Sequence, residues 1–178
     1  MLAVKSVLVD LNDAAATLPN SYNSVENITP LETPLSSTIN GAALATPVFL
    51  TLYAENDLRL DKYFAETDEK GFRKNKKAGS NNYLCTFRVG EIYLTAAEAA
   101  ARLGELSQAR TRLLELMRKR YAPEAYEAKS VVVNAMDKEA LVQEILDERA
   151  RELAFEGHRW FDLRRSTRPR LELSLIHI

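Results

Sequence analysis

The chain has 178 residues, and its 24 Lys and Arg against 25 Asp and Glu give a formal charge of −1, which excludes a strongly basic nucleic-acid binder. A chain of this length can bury roughly 70% of the surface that its unfolded form exposes, so one ordinary core needs neither disulfide nor metal. No run of about 18 apolar residues exists and the first ten residues lack a basic start, so neither a spanning helix nor a signal peptide is encoded, and taken literally the chain reads as soluble and unexported.

In chain order, Ala3–Ala16 has the composition of a helix, with Val4, Val7, Leu8 and Leu11 as its apolar face. Thr17–Val48 holds four of the six prolines and only two charges, Glu26 and Glu32, and reads as a long irregular segment. A connection of about 30 residues without structure is uncommon inside a compact domain, so this stretch points to a packing partner outside the chain. Thr46-Pro47 is a helix start, with Thr as cap and Pro at the first helical position. Asn56-Asp57-Leu58-Arg59 follows. From Leu60 to Phe87 the apolar residues are sparse and often aromatic, broken by Gly71 and the Ala78–Asn82 turn cluster, which predicts short strands or extended loops.

The second half is helical. Val89–Leu103 is rich in helix formers and stops at Gly104, and Ser107 is read as the cap of a second helix running to about Arg120. The short connection forces an antiparallel hairpin, with Ala97 and Ala100 facing Leu113, Leu116 and Met117. After a loop through Pro123 and Tyr126, Asp137 caps a helix to Glu156, ended by Gly157, and a short helix spans His158–Arg165. The hairpin resembles one tetratricopeptide repeat, through Tyr93, Ala97, Ala100, Gly104, Ala109, Leu113 and Leu116.

The candidates for chemistry are few. Cys85 cannot form an intramolecular disulfide and reads as a buried thiol; no zinc or other metal cluster is visible, and no cofactor motif. The densest stretch is Glu148–Arg165, where nine of eighteen residues are charged while Leu153, Phe155, Trp160, Phe161 and Leu163 call for burial. Glu148, Glu152 and Glu156 share a helix face, which is repulsive unless cations such as Arg149, Arg159 or Arg164 lie against it. Glu148 and Glu152 have the spacing of a glycosidase acid/base pair, but arginines lower a carboxyl pKa where a catalytic acid needs it raised. His158 lacks the partners of a catalytic base, so no catalytic residue is assigned. Tyr63, Phe72, Tyr83, Tyr121 and Tyr126 lie in loop-like surroundings and are the aromatics expected to be exposed as sugar platforms.

Three blocks carry a family resemblance: Arg88–Ala99; the Ala109–Arg120 helix with its Arg118-Lys119-Arg120 end; and Glu148–Arg165 with its Glu156-Gly157-His158-Arg159-Trp160-Phe161-Asp162-Leu163-Arg164-Arg165 run. Together they resemble the C-terminal region of SusD/RagB proteins, and Asp57-Leu58-Arg59 extends the likeness upstream. The resemblance implies a mostly α, SusD-like fold with a tetratricopeptide-like hairpin, short strands and long irregular loops. It further implies a surface lipoprotein of the outer membrane that binds oligosaccharide for import through a SusC-like TonB-dependent transporter, with no catalysis and no cofactor. The shared motifs are scaffold signatures, so no ligand-binding residue carries across. Residues 1–45 are accordingly read as an irregular remnant of an upstream region, 46–172 as the SusD/RagB-like region and 173–178 as a non-native tail, which makes the chain a fragment. The rival readings are a tetratricopeptide-type protein-interaction module and an acidic-pair glycoside hydrolase.

Overall fold

A computed structural model describes residues 6–19, 21, 23–32, 44–77 and 83–166. The expected turn cluster at 78–82 and the tail at 173–178 lie outside these residues. The described residues form a mostly α fold with a few short strands: β1 (Asn27–Glu32), β2 (Leu44–Ala45), α1 (Pro47–Leu50), α2 (Leu58–Tyr63), β3 (Phe64–Thr67), β4 (Arg73–Asn75), β5 (Tyr83–Arg88), α3 (Val89–Leu103), α4 (Leu106–Met117), α5 (Pro123–Ala135), α6 (Lys138–Glu152) and α7 (Arg159–Arg165).

The N-terminal stretch is not a helix across its described part. Val9 and Leu11 are buried two residues apart, the spacing of an extended chain, while Val7 on the expected helical face is exposed. Polar demand overrides the apolar pattern here. The Val9 N–H donates to Glu26 Oε1 at 2.9 Å, its carbonyl accepts from Arg120 Nη1 at 2.5 Å, and the Leu11 N–H donates to the Lys119 carbonyl at 2.9 Å. These residues act as a strap across the end of α4.

The stretch expected to be irregular contains β1, which pairs antiparallel with β5 from Asn27 opposite Arg88 to Glu32 opposite Tyr83, with two register shifts. For β1, Asn27–Glu32, the packing partner is β5 of the same chain. A second sheet has the order β2-β4-β3. Thr46 caps α1 as expected, its hydroxyl accepting from the Phe49 N–H at 3.2 Å. Leu60–Tyr63, expected to be extended, completes α2.

The α3–α4 hairpin closes at Gly104, whose φ of +86° is the left-handed conformation that glycine adopts without strain. Ser107 does not cap α4; the helix begins a residue earlier, after Glu105, and no side chain caps it. Ala97, Ala100, Leu113, Leu116 and Met117 meet as expected and form a core with Leu141 and Ile145 of α6. The expected loop after Pro123 is instead helix α5: Pro occupies its first turn, Glu124 follows, and only Val133 is buried, so no apolar stripe marks it. Asp137 caps α6, accepting from the Ala140 N–H at 2.9 Å. That helix stops at Glu152 rather than Glu156, because Phe155 and Gly157 take positive φ values of 62° and 84° and turn the chain into α7. A second, smaller core joins Tyr53, Phe64, Phe49 and Phe155 in edge-to-face ring contacts.

Candidate functional site

Between the two cores lies a sealed cluster of charge built from residues remote in sequence. Asp57 caps α2 by accepting from the Arg59 N–H at 3.0 Å, and the same carboxylate grips the Arg59 guanidinium through Nε at 2.9 Å and Nη2 at 2.8 Å. This fixes Arg59 so that Nη1 reaches Glu148 Oε1 at 2.7 Å and Glu152 Oε2 at 3.1 Å. Arg88, the last residue of β5, binds both oxygens of Glu156 at 2.9 Å and reaches Glu152 Oε1 at 2.6 Å and Glu26 Oε2 at 3.2 Å. Arg120, just beyond α4, binds Glu152 Oε2 at 2.9 Å and Glu26 Oε1 at 2.5 Å. Glu152 thus accepts from three arginines, and the side chains of Arg59, Arg88, Arg120, Glu26, Glu148 and Glu152 are wholly buried.

Lys77 joins the cluster against Glu156 and donates to the Glu152 carbonyl at 2.6 Å, and Arg151 donates to Glu148 Oε2 at 2.8 Å. Five cations (Arg59, Arg88, Arg120, Arg151, Lys77) so face five carboxylates (Glu26, Asp57, Glu148, Glu152, Glu156), and Arg151 extends the network outward to Glu144 at 2.6 Å. Burial pushes the carboxyl pKa values of Glu148, Glu152 and Glu156 up, but the neighbouring cations outweigh it. Glu148 is held at about 2 by Arg59 and Arg151, and Glu152 lies well below the carboxylate range beside Arg120, Arg88 and Arg59. Burial lowers the Lys77 ammonium to about 8 in spite of Glu156.

The sequence places the right glutamates together but names the wrong cations. Arg149 turns away to Asp162 at 2.9 Å, linking α6 to α7, and Arg159 is exposed. Arg165 extends that link to α3 by pairing with Asp162 at 2.6 Å and Glu98 at 2.7 Å. The acid/base reading of Glu148 and Glu152 fails on geometry, since every carboxylate oxygen accepts from a cation and none meets solvent. Glu26 was legible only as one of two charges in a stretch rich in proline, Ser, Thr and Asn. Gly90 carried a signal too, as a glycine in the first turn of a helix of good formers: a Cβ there would lie 2.6 Å from Arg88 Nη1 and 3.1 Å from Glu152 Oε1.

The aromatics also redistribute. Tyr63 and Tyr121 are sealed rather than exposed, whereas Trp160 and Phe161, expected to be buried, are 53% and 68% exposed on α7. The side chains of Tyr83 and Cys85 lie outside the described residues. His158 is half-buried, its Nδ1 3.7 Å from Glu91 Oε1. No group of His, Cys, Asp and Glu able to hold a metal occurs among the described residues. Tyr126 lines an open cleft of about 620 Å³ between the Asp10–Asn12 strap, the end of α4 and α5.

The chain matches the model of the SusD family over residues 38–174, which takes in α1 to α7 and every cation of the buried cluster. It belongs to the SusD family. It is also 31% identical over 115 residues to SusD-like protein P38 of Formosa agariphila, a match that covers 64% of this chain and 22% of that protein. The chain thus spans a minor part of that SusD-like relative's length.

Glu152→Ala is expected to destabilise by about 3–5 kcal/mol, because three buried guanidinium groups lose a common acceptor. Arg159→Ala, at an exposed site, should stay within about 0.5 kcal/mol. Urea unfolding of both variants checks the contrast, and equal effects would place the ion pairs elsewhere.

Gly90→Ala should lower stability, although alanine is favoured over glycine in a helix interior by about 1 kcal/mol, since the new methyl group collides with the Arg88 guanidinium. A raised melting temperature in this variant would show that the cluster yields.

The folded-state pKa of Glu148, about 2, lies below its unfolded value near 4.5. Its stabilisation is therefore complete above pH 4.5 and vanishes as pH falls through 2, a loss of about 3 kcal/mol. Stability measured from pH 5 to pH 2 should fall more steeply in the native chain than in Glu148→Gln, and parallel slopes would contradict the assignment.

Proposed function

We propose that this chain is the C-terminal scaffold region of a SusD-like glycan-binding protein, anchored by lipid at the outer-membrane surface, that captures oligosaccharide for import through a SusC-like TonB-dependent transporter. The observation that carries the reading is the family match across residues 38–174. The protein binds and does not catalyse; in support, the Glu148–Glu152 pair, which has hydrolase spacing, is buried under arginines. A tetratricopeptide-type interaction module is disfavoured, because the apolar face of the α3–α4 hairpin is already covered by α6. On this reading the buried charged cluster is scaffold, and recognition belongs to surfaces around it.

The test takes the native full-length protein that carries this sequence. Calorimetric titration with neutral hexasaccharides should give saturable binding without release of new reducing ends. Affinity purification from outer membranes should bring down a TonB-dependent transporter. Hydrolysis of any of the saccharides, or purification free of a transporter and without saccharide binding, would overturn the reading.

A further inference from the structure

We infer that the cleft beside Tyr126 is a saccharide-contact site that takes a short stretch of a neutral oligosaccharide; this rests on the glycan-binding reading above. Its volume of about 620 Å³ falls within the range of small-molecule sites. Three segments distant in sequence converge there: the strap with Asp10 and Asn12, the end of α4 with Arg118 and Lys119, and α5 with Tyr126 and Asn134.

The lining matches a polyhydroxylated ligand better than the alternatives. Sugar hydroxyls both donate and accept, so they suit a wall that mixes carboxylate, amide, guanidinium and phenol groups. A phosphate or polyanion would call for an excess of cations, yet here Asp10 and Glu127 offset Arg118 and Lys119. A lipid would call for apolar walls. The flat face of a pyranose, with its C–H groups, packs on an aromatic ring, and Tyr126 supplies one.

The walls are held before any ligand arrives. Lys119 Nζ donates to Asp10 Oδ2 at 2.8 Å, and Asn12 Nδ2 donates to Asp10 Oδ1 at 3.0 Å and to the Tyr121 carbonyl at 3.3 Å. Burial raises the Asp10 pKa, but these hydrogen bonds carry it below the usual range, so it stays an acceptor at neutral pH. Tyr126 is partly buried against the helical core, which limits its freedom. In contrast, the Arg118 guanidinium, the Tyr126 hydroxyl and the Asn134 amide make no side-chain hydrogen bond or ion pair among the described residues, and Arg118 and Asn134 are exposed. The strap and the end of α4 are thus held before binding, while these unpaired polar groups are open to hydrogen-bond a ligand.

The experiment titrates maltohexaose, xylohexaose, laminarihexaose and mannohexaose, and an oligogalacturonate of equal length, into this chain and into the full-length protein. For the neutral sugar that binds, Tyr126→Ala should weaken affinity about 10-fold, and Arg118→Ala and Asn134→Ala about 3- to 10-fold each. Trp160→Ala, on α7, should leave it unchanged. Because Tyr126 also packs on the core, the exposed Arg118 and Asn134 variants decide the matter, with melting curves confirming that they fold. Affinity indifferent to both, or binding by the full-length protein but not by this chain, would overturn the cleft assignment and leave the family reading intact. Binding confined to the oligogalacturonate would overturn the choice of a neutral sugar. If neither protein binds any of the saccharides, the glycan-binding reading falls with it.

Discussion

Burying the Glu152 carboxylate is the demand around which this chain is arranged. An ionised carboxylate taken out of water without compensation costs several kcal/mol even after relaxation, so it must be met by counter-charge with good geometry. Three guanidinium groups meet it here, one from α2, one from the end of β5 and one from the turn after α4. Each of these arginines is then held by a further carboxylate, Asp57, Glu156 or Glu26. The result fixes the relative placement of the strap, both sheets' neighbouring helices and α6. Such a cluster need not add net stability over an apolar core of equal volume; what it supplies is a single allowed arrangement, because any other leaves a charge unpaired.

What was legible in the sequence was local. Thr46, Gly104 and Asp137 mark helix ends through bonds to residues three or four positions away, and the structure keeps all three. The Ala-rich face of α3 and the Leu-rich face of α4 were readable from helical spacing for the same reason. The glutamate face of α6 was readable as a face, but its partners were not, since Arg59 and Arg88 come from positions 89 and 64 residues away from the glutamates they meet. Nearby arginines were the natural candidates, and α6 directs Arg149 elsewhere. The N-terminal strap misled because Val4, Val7, Leu8 and Leu11 have helical spacing while the chain there is recruited as a backbone donor and acceptor for Glu26 and Arg120. Helix α5 was missed for the opposite reason: it leans on one buried valine, so no periodic stripe announced it.

The division between buried cluster and surface explains why the family could be recognised from the sequence while no ligand-binding residue could be assigned. The family match spans α6, the turn after it and the arginines beneath, and the core of that cluster has no face to solvent. A sugar can touch none of it. The polar cleft beside Tyr126, by contrast, uses residues with no strong motif, drawn from the strap and a helix that the sequence left as a loop. Exposed groups at the edge of such a frame can be substituted without disturbing the charges that hold it.

The spans of the buried pairs also set an order of assembly. Arg88 and Glu26 are 62 residues apart, Arg59 and Glu148 are 89 apart, and Arg120 and Glu26 are 94 apart. Closing such loops has an entropic cost before any bond is gained, whereas the α3–α4 hairpin joins neighbours in sequence. A chain emerging from its N-terminus can therefore form that hairpin while Arg59, Arg88 and Arg120 remain hydrated. The lock closes only when the last turn of α6 brings Glu152 to the three arginines.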